Sequence, residues 1–200
     1  LQEDKRHPLR IAMDSVHLAS ASQRRASMLE AIGCDVVQSP LRARERPHGH
    51  GIPISEQVKN TLLGKIESAQ RECTHPIVIV ADTLVEDPDD ALQPLGQPNN
   101  RQQALNMLLR LSGRNHRVWT GTAIIQGDKV EYWVESATVS IDSLDDDVLE
   151  ALLISDSWRG KAGGYDYAGP MGNFAKIIDG AEETVLGFTP QLFTNLESIM

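Results

Sequence analysis

Apolar positions in this chain follow helix-like and strand-like patterns in turn. At Val58, Leu62, Ile66, Ala69 and Cys73 they recur with spacings of four, four, three and four, one stripe of a helix that Ser55 would cap. Directly after Pro76, "IVIVA" has no alternation at all. A β-branched run without a polar face predicts a central strand buried on both sides, here ending at Asp82. Upstream, 16–19 predicts a short buried strand, 23–32 a helix stopped by Gly33, and "DVVQ" at 35–38 a second strand. The segment "SPLRARERPHGHGIP" predicts a long loop, and "TLVEDPDDALQPLG" a hairpin. A helix over 100–111 stops at "SG". "RVWTGTAIIQ" and "VEYWVESATVSI", joined by "GDK", form a twisted antiparallel pair. A helix over 143–155 follows, with Asp146 placed for a capping box, then the glycine-rich loop "RGKAGGYDYAGPMGN" and the strand "FAKIID". Thr189 would cap a last helix with Pro190 at its first position. The sum is an α/β fold with a mixed sheet, neither all parallel nor all antiparallel.

Composition narrows the class. Two hundred residues with 40% apolar and 24% charged content support a real core and argue against wholesale disorder. Residues 1–15 are expected to be a polar extension and 16–200 one domain. No run reaches the length of a membrane span and no signal-peptide order opens the chain, so no membrane partner is expected. Two cysteines, Cys34 and Cys73, make neither a disulfide framework nor a zinc set, and a reducing cytoplasm is the expected location. The formal charge of -9 argues against broad contact with a nucleic-acid backbone. It leaves room for a small anion held in a local positive pocket.

Such a pocket is offered by "LASASQRRASML" at 18–29. A strand feeding a helix through a serine-rich turn presents backbone N–H groups and the positive end of a helix dipole. The hydroxyls of Ser20 and Ser22 and the guanidinium forks of Arg24 and Arg25 could surround a phosphate there. The alternative is that a serine only caps the helix while the arginines sit in solvent. Asp82, after its apolar strand, could hold Mg²⁺ or take a proton from water, or merely end a strand. Lys161, in "GKAGGY", sits where glycines permit close backbone approach to a ligand. "LLGKIES" is no phosphate loop, because Lys59 and Ile66 stand where glycine and Ser or Thr are required. "DPDD" lacks the glycine and glutamate of a calcium loop.

Four separated motifs, "LASASQRRASMLEAIG", "ADTLV", "ALNMLLRLSGRNHRVWTGTAI" and "KAGGYDYAGPMGNFAKIIDGAEETVLGFTP", resemble in order and spacing the Maf family of nucleoside triphosphate pyrophosphatases. The resemblance implies two lobes around a deep cleft, as in the inosine-triphosphate pyrophosphatases. It implies cleavage between the α and β phosphates and a divalent cation, Mg or Mn. It also implies removal of non-standard or surplus nucleotides, and homodimers in many members. Carried over by position, Ser20, Ser22, Arg24 and Arg25 fall on the phosphate-binding turn, Glu45 on an acidic residue, and Lys65 on a helix lysine. Asp82 falls on the general base, followed by Thr83, and Lys161 on the lysine of the late glycine-rich loop. Asp82 and Glu45 would then be the metal-holding carboxylates, and Asp82, Glu45 and Lys65 the catalytic set. The chain departs from the family pattern at Gln23 (usually proline), Gln97 (usually lysine) and Ala168 (usually glutamine, in a motif tied to base choice). With Tyr165 and Tyr167 beside Ala168 as stacking candidates, the expectation is a broader or shifted base preference. The losses at Gln97 and Ala168 leave open a second class, a nucleotide-binding regulatory or scaffold protein with weak catalysis.

Overall fold

The computed structural model describes residues 15–42 and 51–199. Residues 1–14 of the expected extension, and Glu45, lie outside the described residues, while Ser15 already opens the first strand. In chain order the elements are β1 (Ser15–Leu18), α1 (Gln23–Ala31), β2 (Asp35–Gln38), α2 (Ile54–Glu72), β3 (Val78–Asp87), β4 (Asp90–Leu95) and α3 (Arg101–Leu111). Then come β5 (Asn115–Gln126), β6 (Lys129–Ile141), α4 (Asp146–Ile154), β7 (Ala175–Asp179), α5 (Glu182–Leu186) and α6 (Pro190–Ile199).

Among the described residues the sheet has seven strands, in the order β2-β1-β3-β5-β6-β7, with β4 also on β3. β1 pairs in parallel with β2 and β3, and the pairs β3–β5, β5–β6 and β6–β7 are antiparallel, so the sheet is mixed as expected. The long strands run through two lobes. In one, α1 and α6 cover one face through Leu29, Leu192 and Leu196, and α2 covers the other through Leu62, Ile66 and Ala69. In the second, α3 and α4 pack on the far halves of β3, β5 and β6 through Leu108, Leu152 and Val139. Each fully buried leucine contributes about 1.5–3 kcal/mol. Gly121 on β5 lets α2 lie close, because a Cβ there would meet Val58 Cγ1 at 3.0 Å and Leu62 Cδ2 at 3.1 Å.

Several boundaries differ from the expectation. β3 does not end at Asp82; it runs to Asp87 because β5 pairs with it without a break from Val78↔Ile125 to Val85↔Val118. α2 is capped by Pro53 with no side-chain bond rather than by Ser55. α4 starts at Asp146, and Asp145 is the cap, its carboxylate accepting from Val148 N at 2.9 Å. The Thr189 hydroxyl is buried without a hydrogen-bond partner, so it caps nothing, although Pro190 does open α6. The short α5 was not expected.

The arrangement around β3 opens the cleft. β5 fills one edge of β3. On the other edge β1 bonds only as far as Ala19 N to Ile79 O, and β4 joins only at Val85↔Leu95. Since Ile77 and Ile79 turn their carbonyls to β1, strand alternation turns the backbone groups of Ala81 and Thr83 to the gap between the two. The gap lies where the lobes meet.

Candidate active site

A cavity of about 750 Å³ occupies that gap, walled by the β1–α1 turn, one side of α2, the middle of β3 and the loop around Lys161. Neighbouring residues of β3 face opposite ways. Asp82 shares the face of Val78 and Val80, which pack under α2, and Thr83 shares the face of Ile79 and Ala81. Lys65 stands on α2 one turn from Thr61 and Ala69, both buried, so its side chain is directed at Asp82. Its Nζ donates to Asp82 Oδ1 at 2.8 Å and to Ala81 O at 3.2 Å. Asp82 is 6% exposed, and its Oδ2 is buried without a hydrogen-bond partner. A buried carboxylate oxygen left unengaged is costly, and it is the feature of this wall that calls for a ligand.

The turn before α1 is built from its own hydroxyls. Ser22 is the cap of α1, accepting from Arg25 N at 3.4 Å, while its own N–H donates to Ser20 Oγ at 3.2 Å. The two arginines part company. Arg25 donates from Nε to Gly187 O at 2.9 Å, from one terminal nitrogen to Ala81 O at 3.3 Å, and from the other to Thr83 Oγ1 at 3.0 Å. Arg24 donates from Nε to Leu186 O at 2.7 Å and from Nη1 to Asp166 Oδ1 at 3.1 Å. Thr83 Oγ1 also shares a bond with Thr120 Oγ1 at 2.9 Å. Lys161 is part of the wall, its loop held by Gly163, whose φ of 71° favours glycine and whose N–H donates to Gly96 O at 3.0 Å.

Of the residues singled out in the sequence, Ser20, Ser22, Arg24, Arg25, Lys65, Asp82, Thr83 and Lys161 therefore meet at one cavity. Ala168 does not: it is exposed and outside the wall. Tyr165 and Tyr167 both reach the wall, and Tyr165 is at the same time a core residue, its hydroxyl bonded to His116 Nε2 at 2.8 Å. Gln97 lines the cavity with an uncharged amide. Asp166, an acidic residue between two tyrosines in the glycine-rich loop, stands beside Arg24 and Lys161. The sequence reading missed Arg71, which extends the α2 wall beyond Lys65 and Ser68 with a spacing of three.

His116 makes the loop's anchor sensitive to acid. It is 4% exposed, its Nδ1 has no hydrogen-bond partner, and burial pushes its imidazole down to about 4 from the ordinary 6.5. Burial likewise raises the Tyr165 hydroxyl. Folding thus keeps His116 neutral, and the unfolded chain binds the proton first. The contribution to stability is complete above pH 6.5, is lost as pH falls towards about 4, and levels off below that. The loss is roughly 3 kcal/mol. Urea midpoints of the wild type and of His116→Gln between pH 4 and 7 check this, and the variant should show the shallower acid slope. Parallel slopes would remove His116 as the cause.

The geometry defines a class: a cationic cleft built around a buried carboxylate, on a stretch of strand edge that is unpaired among the described residues. The chain belongs to the Maf family; the family model for Maf-like protein matches residues 15–198. The chain is similar to the dTTP/UTP pyrophosphatase of Pyrococcus furiosus, 33% identical over 88% of this chain and 90% of that protein. Proteins of the same description from Bacillus anthracis and Granulibacter bethesdensis are each 32% identical, over 88% and 90% of this chain and 90% and 92% of their own lengths. Among solved structures, the Staphylococcus aureus Ham1 protein is similar with a TM-score of 0.44 and 14% identity, over 64% of this chain and 72% of that one. Among the described residues, no helix is long and apolar enough to cross a membrane.

Proposed function

We propose that this chain hydrolyses nucleoside triphosphates to the monophosphate and pyrophosphate. The observation that carries the reading is Asp82 Oδ2, buried and unengaged in a wall that also holds Lys65, Arg24 and Lys161. The relatives named dTTP/UTP pyrophosphatases support it. A triphosphate brings about four negative charges, which an acidic protein can hold only where cations are gathered.

The residues divide the work. Lys65 ties down Asp82 Oδ1, so Oδ2 is the atom that orients a water and takes its proton. The water oxygen bonds to one phosphorus of the α–β bridge as that phosphorus loses its bond to the bridging oxygen, and the monophosphate and pyrophosphate separate. Arg24, Lys65 and Lys161 offset charge on the phosphoryl oxygens as it develops. Ser20, Ser22 and Thr83 fix the turn and the strand edge against which the phosphates lie, and Arg25 braces both. The donor set also fits a divalent cation, since Mg²⁺ or Mn²⁺ takes one or two carboxylates plus substrate phosphates and waters. Asp82, with Glu45 as the second carboxylate offered by the sequence, would hold it, and it would supply charge neutralisation and polarisation of the phosphoryl oxygens.

Gln97 favours a second reading, a nucleotide-binding protein with weak catalysis, because it puts an amide in the wall where a cation would strengthen phosphate binding. One panel separates the two. Pyrophosphate release from dTTP, UTP, CTP, GTP and a methylated GTP, with Mg²⁺ or Mn²⁺, is expected for at least one nucleotide. Nucleotides that raise Tm without any release support the second reading. The same panel tests base choice. Ala168 lies outside the wall and has no side-chain hydrogen bond to give, so discrimination is left to fit against wall residues such as Tyr167, which is limited to about 1–3 kcal/mol. The preference for dTTP and UTP should stay below about a hundredfold in kcat/KM, and a larger one would overturn this part of the reading.

A further inference from the structure

We propose that Asp166 is a positioning residue that holds two cations of the cleft, Arg24 and Lys161, towards one bound polyphosphate. The inference rests on the pyrophosphatase reading for its substrate and on the geometry around Asp166 for its content. Arg24 comes from α1, and Asp166 stands 142 positions away in the loop that also carries Lys161. Asp166 Oδ1 accepts from Arg24 Nη1 at 3.1 Å, and Oδ2 lies 3.9 Å from Lys161 Nζ. Each carboxylate oxygen thus faces one cation, the first through a hydrogen bond and the second through charge alone. Arg24 and Lys161 belong to the cavity wall while Asp166 does not, so the carboxylate stands behind them.

The guanidinium is planar, so two bonds to different segments fix its orientation. Here those bonds are Nε to Leu186 O and Nη1 to Asp166. Two cations crowded at one wall repel each other, and an anion placed behind both offsets that repulsion. Asp166 can serve as such a fixed point because its loop is anchored just before it, by the buried Tyr165–His116 bond and by Gly163 N to Gly96 O. The side chains of Arg24, Asp166 and Lys161 are 21%, 22% and 25% exposed, so solvent screens the trio only in part.

Asp166→Ala should raise KM for the best nucleotide about tenfold with kcat within about threefold, and weaken calorimetric binding of inorganic tripolyphosphate by the same factor. Asp166→Asn, which keeps an acceptor for Arg24 without the charge, should fall between. If Asp166 acts through Arg24, adding Asp166→Ala to Arg24→Ala should cost less than about threefold more. A merely structural role would lower Tm and move kcat with KM. An unchanged or tighter tripolyphosphate Kd in Asp166→Ala, an effect of full size in the Arg24→Ala background, or a wild type that binds no tripolyphosphate would overturn the proposal. A wild type that binds tripolyphosphate but releases no pyrophosphate from any nucleotide would instead overturn the pyrophosphatase reading, and the binding comparison would still decide Asp166.

Discussion

Asp82→Asn is expected to lower kcat about a thousandfold while leaving KM within a few-fold of wild type. The amide keeps the shape of the carboxylate, and its oxygen can still accept from Lys65 Nζ, which lies 2.8 Å from Oδ1 in the native protein. What it loses is the unengaged Oδ2, the atom proposed to take the proton of the attacking water. It also loses the negative charge that a divalent cation would use. Phosphate contacts by Arg24 and Lys161 are untouched, so ground-state binding should survive. Steady-state pyrophosphate release and calorimetric nucleotide binding measure the two halves separately. A variant with wild-type kcat would remove Asp82 as the base. A variant that binds no nucleotide would show that the carboxylate holds the substrate complex together rather than moving its proton.

Most of the frame was legible because it depends on local pattern. The stripe through Val58, Leu62 and Ile66 made α2 readable, and the polar turn between "TAIIQ" and "VEYWV" made the β5–β6 hairpin readable. Glycine-rich composition marked the loop of Lys161, and the serine–arginine turn marked the start of α1. The failures were non-local. Asp82 was read as a strand end, yet the strand continues because β5 pairs with it across the whole stretch, which no local window shows. The gap between β1 and β4 on one edge of β3 depends on three segments and leaves no trace in any of them. α5 spans five residues, too few for a periodicity to show. Charge was legible, but the use of charge was not. Arg24 and Arg25 look alike in the sequence, and only the partners that fold against them tell them apart.

That difference sets the last expectation. Arg25→Ala should lower stability by about 3–5 kcal/mol, a Tm fall of about 6–20 °C for a chain of this length. Arg25 ties together three parts of the fold: Gly187 after α5, Ala81 and Thr83 on β3, and Ser20 in the first turn, whose Oγ accepts at 3.4 Å. Its guanidinium also lies 5.9 Å from the ring centroid of Phe188, a core residue with 0% exposure. Truncation would remove from the Ala81 carbonyl, at the unpaired edge of β3, one of the two cations that satisfy it, leaving Lys65 Nζ alone. Arg24 spans less of the fold, bonding to Leu186 O and to Asp166, and Arg24→Ala should shift Tm by no more than a few degrees. Its cost should appear in the assay instead, as a raised KM and a lowered kcat/KM, because a guanidinium–phosphate contact is present in ground and transition states alike. Thermal melts and steady-state kinetics of the two variants side by side decide the matter. Equal Tm losses, or an Arg24→Ala enzyme with unchanged KM, would mean that the two arginines are not divided between bracing the turn and binding phosphate.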